Sequence, residues 1–146
     1  MYHIEQISAI ETYPVRQPVL REGSSIEACL FEGDTNENTY HLGLYFKSKL
    51  IGVASFIGNK SLLFSEEFQY QLRGMAILKD FQNKGLGNQL LIEGEKILIQ
   101  NKVERLWFNA REIAVSFYKK NQYQTHGEAF NIPQIGLHYV MSKKLI

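Results

Sequence analysis

Hydrophobic and polar positions alternate between Tyr40 and Phe46. Tyr40, Leu42, Leu44 and Phe46 share one face, and His41, Gly43 and Tyr45 share the other, which is the period of a half-buried strand. Lys47-Ser48-Lys49 turns the chain into 50–57, apolar enough to lie in the middle of a sheet. A short first strand over 2–7 precedes this pair. The segment 8–20 is ambiguous, because Pro14 and Pro18 interrupt any helix drawn through it, and it enters the element order as a helical region. Residues 33–38 carry loop chemistry. After a loop over 58–63, residues 68–78 read as another long strand. The period then lengthens over 86–100, where Leu86, Leu90, Leu91, Ile97 and Leu98 form one stripe and Glu93, Glu95 and Lys96 lie off it. A strand over 105–109, a short helix over 113–121 and a closing pair of strands over 124–130 and 136–143 complete the order. The pattern predicts an α/β (α+β) layer architecture with a mixed sheet flanked by helices.

Composition narrows the class. At 146 residues the chain is expected to be one domain spanning 1–146, and 45% hydrophobic residues with only 3 Pro exclude disorder, collagen and coiled coil as descriptions of the whole. A formal charge of +1 points to no dedicated nucleic-acid binder. Cys29 is the only cysteine, so no internal disulfide forms, a reducing compartment is expected, and a small buried apolar role is its default. The N-terminus shows neither a basic n-region nor an apolar h-region, and the longest apolar stretch, 50–58, is too short for a bilayer. A cytoplasmic protein with no membrane partner is expected. His3, His41 and His126 show no metal-ligand spacing, so no metal is assigned.

The most informative segment is Gln82-Asn83-Lys84-Gly85-Leu86-Gly87, between a strand and an amphipathic helix. Two glycines at this spacing permit a tight turn and close approach of a ligand. The helix that follows offers unpaired N–H groups and the positive end of its dipole, a pyrophosphate cradle. Lys79 and Lys84 add charge nearby. A Walker A loop needs Gly-Lys-Ser/Thr, which is missing, and a dinucleotide fingerprint needs a small residue at Leu90.

Gln/Arg-x-x-Gly-x-Gly/Ala after a strand and opening a helix resembles the acyl-CoA pyrophosphate signature of the GNAT N-acetyltransferases. Asn109 at a strand end, Ala114 and the run Phe117-Tyr118-Lys119-Lys120-Asn121-Gln122-Tyr123 are similar to that family's second cofactor segment. Ile132-Pro133 and His138-Tyr139-Val140-Met141 resemble its closing strand. The resemblance implies a GNAT-like, mostly antiparallel sheet of six to seven strands, splayed at its centre, and an enzyme that moves an acetyl group from acetyl-CoA to a primary amine of a small molecule or peptide. A homodimer is compatible with it.

The resemblance also implies residue roles. The amides around Gly85, Leu86, Gly87 and Asn88, with Gln82, Asn83 and Lys84, bind the pyrophosphate of coenzyme A. The end of the preceding strand, with Met75, Ala76 and Ile77, pairs with the pantetheine arm, and an N–H near Ala76 or Ile77 steadies the oxyanion. Asn109 bonds the pantetheine or caps the following turn. Tyr118 matches the general-acid position; a phenol of pKa about 10 can protonate a thiolate whose conjugate acid lies near about 8.5. The base stays open among Glu66, Glu67 and His138, because Gln69, Gln71 and Arg73 occupy the strand positions where many members carry Glu. Gln122-Tyr123 stands where the family commonly has Gly-Phe, so the left-handed residue is expected to shift to Asn121. The acceptor pocket is expected in the N-terminal third, around Arg16, Arg21, Glu22 and Glu27. Two rival readings stay open here: an acyl-CoA-binding or regulatory module, and a nucleotide-binding interaction protein.

Overall fold

A computed structural model describes residues 1–146. Seven strands form one sheet in the order β1-β2-β3-β4-β5-β7-β6: β1 Tyr2–Ile7, β2 Tyr40–Phe46, β3 Lys49–Gly58, β4 Gln69–Ile77, β5 Arg105–Arg111, β6 Gln124–Ile132 and β7 Gly136–Lys144. Every neighbouring pair is antiparallel except β4 and β5, which run parallel. Three helices, α1 Ala9–Leu20, α2 Leu86–Gln100 and α3 Val115–Lys120, cover the faces. No helix is long and apolar enough to cross a membrane.

The alternation along β3 separates the two layers. Ala54 and Phe56 join Leu42, Leu44, Leu72, Leu90, Leu91 and Leu98 in the main core beneath α2, and Gly94 lets α2 approach so closely that a Cβ there would collide with the Phe56 ring. Val53 packs instead with Val15 of α1 and Ala76 on the opposite face.

The segment 8–20, a helical region left ambiguous by its prolines, is one helix: α1 runs unbroken through Pro14 and Pro18. Spaced four apart, both prolines lie on the exposed side, so the carbonyls they free, on Ile10 and Pro14, face water. Ser8 and Glu11 form a reciprocal capping box, with Ser8 N–H donating to Glu11 Oε1 at 2.8 Å and Glu11 N–H to Ser8 Oγ at 3.3 Å. Burial of Thr12, Val15 and Arg16 holds the inner side.

Arg16 is wholly buried and anchors α1 to the sheet. Its guanidinium donates to both oxygens of Asp34, at 2.7 and 3.0 Å, to Cys29 O at 2.8 Å and to Ser55 Oγ at 2.8 Å. His41 bridges Ser55 Oγ at 2.7 Å and Asp34 O at 2.8 Å. Burial pushes the Asp34 carboxyl up, yet the hydrogen bonds from Arg16 and the Phe31 N–H outweigh it and hold the group below its ordinary range. The Arg16 Nε alone lacks a partner, and the guanidinium lies 4.0 Å over the Phe31 ring.

Candidate active site

The turn after β4 delivers the helix mouth. Gln82 Nε2 donates to Ile77 O at 2.9 Å, tying the loop back to the strand. Asn83 and Gly85 both take left-handed conformations, with φ 65° and 76°. Gly85 precedes α2 without a side-chain cap, and the first helical bond runs from Gln89 N–H to Gly85 O. The N–H groups of Leu86, Gly87 and Asn88 therefore point outward with no acceptor inside the protein. Leu86 sinks its side chain into the core and fixes the turn. A Cβ on Gly85 would meet nothing within 4 Å, and one on Gly87 would make only ordinary contacts, 3.8 Å to Phe117 Cζ and 3.9 Å to Met75 Cε. The space above these amides is open, and three converging donors at a helix N-terminus fit a diphosphate such as that of acetyl-CoA.

From this mouth a slot runs between β4 and β5. Their pairing covers only Gln69↔Arg105, Tyr70↔Leu106 and Gln71↔Trp107, although β4 continues to Ile77 and β5 to Arg111. The closed end of the V is clamped by Arg105, which donates to both oxygens of Glu66 at 2.8 and 2.9 Å, and by Trp107 Nε1, which donates to Asn59 O at 2.9 Å. A bulge at Gly74 helps to open the other end: Val53 pairs with Ala76 but Ser55 with Arg73, so β4 carries one extra residue. Gly74 has φ 64°, and a Cβ there would lie 2.6 Å from Phe31 Cε2. Only glycine serves both demands.

The bulge also decides which main-chain groups face the slot. Leu78 N–H donates to Ile51 O of β3 at 2.8 Å. Ladder alternation then turns Ala76 into β3 and turns the N–H and C=O of Ile77 toward the open seam. Of the two N–H groups the sequence left open, Ile77 faces the slot. Ala76 is the candidate the structure does not bring there, since its N–H points toward β3, opposite Val53.

At the open end lies a cavity of about 470 Å³. Met75, Asn109 and Tyr118 line it, as does His138 of β7, the register partner of Arg111 on β5. The Tyr118 ring packs tilted against Phe108, centroids 4.2 Å apart, and edge-on to Phe117 at 5.0 Å, and its hydroxyl has no hydrogen-bond partner in the protein. Burial pushes its phenol well above the ordinary tyrosine value, so it remains protonated. His138 Nδ1 lies 2.8 Å from Gly136 O, which selects the tautomer with Nδ1–H donating and leaves Nε2 as an acceptor.

Several expectations need correction. Glu66 is engaged by Arg105, whose hydrogen bonds hold its carboxyl at about 2, and Glu67 is exposed and paired with Lys60 at 2.9 Å. Neither lines the cavity. Arg16 is structural, and Glu27 lies outside both recesses, whereas Arg21 lines the cavity and Glu22 an adjoining recess. The left-handed residue after α3 is Gln122, φ 74°, not Asn121. Tyr123 N–H donates to Tyr118 O and Gln122 N–H to Lys119 O, both at 3.1 Å, a Schellman ending that carries glutamine at the position glycine favours. Sequence reasoning missed Gly74 and Phe31. An isolated glycine inside a strand pattern was the available signal for the first; Phe31, in an irregular segment, gave none.

Comparison with known proteins agrees with this geometry. The model of the acetyltransferase (GNAT) family matches residues 1–123. YitI of Bacillus subtilis (strain 168), described as an uncharacterized N-acetyltransferase, is 37% identical over 145 residues, covering 99% of this chain and 97% of that protein. ElaA of Escherichia coli shares the fold with a TM-score of 0.79 at 14% identity, over 99% of this chain and 100% of that one. An aminoglycoside 6'-N-acetyltransferase complexed with coenzyme A superposes with a TM-score of 0.77 at 14% identity, over 99% and 97%. With its diphosphate-sized mouth leading into a splayed parallel seam, the chain belongs to the GNAT acetyltransferase family, enzymes that take their acetyl group from acetyl-CoA.

Proposed function

We propose that this enzyme acetylates a primary amine by direct attack in a ternary complex, with acetyl-CoA as the other substrate. The observation that carries the reading is the early end of β4–β5 pairing, which leaves the far ends of the two strands apart, with Met75 between Gly87 at the mouth and the cavity lined by Tyr118 and His138. Each residue has a defined task. The mouth amides, with Gln82, Asn83 and Lys84 around them, grip the diphosphate, and the exposed edge of β4 at Ile77 hydrogen-bonds the arm and the carbonyl oxygen. Asn109 lines the same cavity. His138 Nε2 accepts the proton that the amine loses as its nitrogen bonds the acetyl carbon, and the Tyr118 hydroxyl returns a proton to the departing sulfur. No Asp or Glu lines the cavity, so the base role falls to the imidazole.

Free thiol release from acetyl-CoA with a panel of amines tests the reading. Tyr118→Phe is expected to lower kcat on the order of 10²-fold while leaving the acetyl-CoA Kd unchanged. Unaltered turnover in that variant removes Tyr118 from the mechanism. In parallel, His138→Gln is expected to lower kcat by a similar factor, again with the acetyl-CoA Kd unchanged.

A further inference from the structure

The chain contains five arginines, and they divide cleanly. Arg16 and Arg105 are each bidentate on a carboxylate, Asp34 and Glu66. The other three, Arg21, Arg73 and Arg111, all line the cavity, and none forms a salt bridge. Unpaired guanidiniums on a protein surface are ordinary; three converging on one recess whose wall contains no carboxylate are not.

Two of them are also held in place. Arg73 lies 4.6 Å over the Phe31 ring and Arg21 5.5 Å from its centroid. Arg21 donates from Nε to Ala28 O at 3.1 Å and from Nη1 to Leu20 O at 2.9 Å, which leaves its Nη2 unused. Arg111 makes no hydrogen bond within the protein and stands beside His138 across the β5–β7 ladder. Burial lowers the Arg73 pKa, and the charges of Arg16 and Arg21 act in the same direction against those of Asp34 and Glu32; Asp34 is already bidentate with Arg16, and neither carboxylate lines the cavity. The diphosphate of acetyl-CoA does not serve as the counterion, because its mouth opens beside Met75 and Phe117, under α2 and α3, whereas Arg21 ends α1 on the opposite face.

We propose that the acceptor is a compact amine that also carries an anionic group, a carboxylate or a phosphate, held by Arg21, Arg73 and Arg111 while its nitrogen lies against His138. This rests on the transfer reading above and names the substrate class it left open. Polycationic amines are disfavoured by the same charges. A further effect follows: three guanidiniums around a bound ammonium favour its neutral form, so a weak base suffices to release the nucleophile.

The test uses the full chain and matched acceptors that differ only in the anion: β-alanine against β-alaninamide for the carboxylate arm, phosphoethanolamine against ethanolamine for the phosphate arm, and spermidine as the cationic control. The expected result is a kcat/KM advantage of about tenfold or more for the anionic member of one arm. Arg73→Gln and Arg111→Gln should each remove most of it by raising the acceptor KM, with the calorimetric acetyl-CoA Kd unmoved. Preference for neutral amines or spermidine, or an anion preference indifferent to both variants, overturns the proposal. If no amine releases thiol, the transfer reading is what has failed. The anion site is then decided by melting in saturating coenzyme A, where wild type should show saturable stabilisation by inorganic phosphate or acetate that Arg111→Gln abolishes; no such stabilisation overturns it.

Discussion

The two halves of the site are made from different materials. On the α2 side, the proposed grip on acetyl-CoA is main chain: the N–H groups of Leu86, Gly87, Asn88 and Ile77, exposed by a helix start and an unzipped strand edge. On the α1 side, the proposed acceptor wall is side chain: Arg21 at the end of α1 and Arg73 of β4 against Phe31, with Arg111 of β5 and His138 of β7. A main-chain site keeps its chemistry whatever residues surround it, provided the turn is allowed. A side-chain site changes its chemistry with each substitution, and the scaffold beneath it must be rigid enough to aim long side chains.

Breaking that scaffold carries the largest effect. Asp34→Ala strands the buried Arg16 charge and is expected to destabilise the fold by about 3–5 kcal/mol in chemical denaturation. Breaking the main-chain half should do the reverse. Gly87→Asp has room for its Cβ, so melting should stay near wild type, while a carboxylate facing the diphosphate weakens acetyl-CoA binding on the order of 10²-fold by calorimetry.

The third prediction concerns the hinge of the V. Because Arg105 holds the Glu66 carboxyl at about 2, below its ordinary 4.5, the pair stabilises the folded state above about pH 4.5, and that stability is lost as pH falls toward 2. A melting series over acid pH should fall less steeply for Glu66→Gln than for wild type. The smallest effect is a gain. Gln122→Gly relieves a left-handed glutamine and is expected to add about 1 kcal/mol without altering turnover.

The same division explains what the sequence made legible. The mouth was readable because its signal is local: a strand, two glycines two residues apart and an amphipathic helix lie within 68–100. The central strands were readable for the same reason, since alternation from Tyr40 to Phe46 is a property of adjacent residues. Arg21, Phe31, Arg73, Arg111 and His138 span most of the chain, and no spacing rule brings them together; only the sheet order and the bulge at Gly74 do. The prolines of α1 left that segment ambiguous for a related reason. Whether a proline breaks a helix depends on whether the carbonyl it frees meets water, and that depends on which side of α1 faces the sheet.

Acetyl-CoA binding as proposed depends on the helix mouth and the open seam. Backbone amide NMR during titration with acetyl-CoA reads both at once. Saturable shifts of the Leu86, Gly87, Asn88 and Ile77 amides, with the Ala76 amide far less affected, are the expected result. Saturable binding that leaves those four signals in place, while resonances elsewhere move, would contradict it.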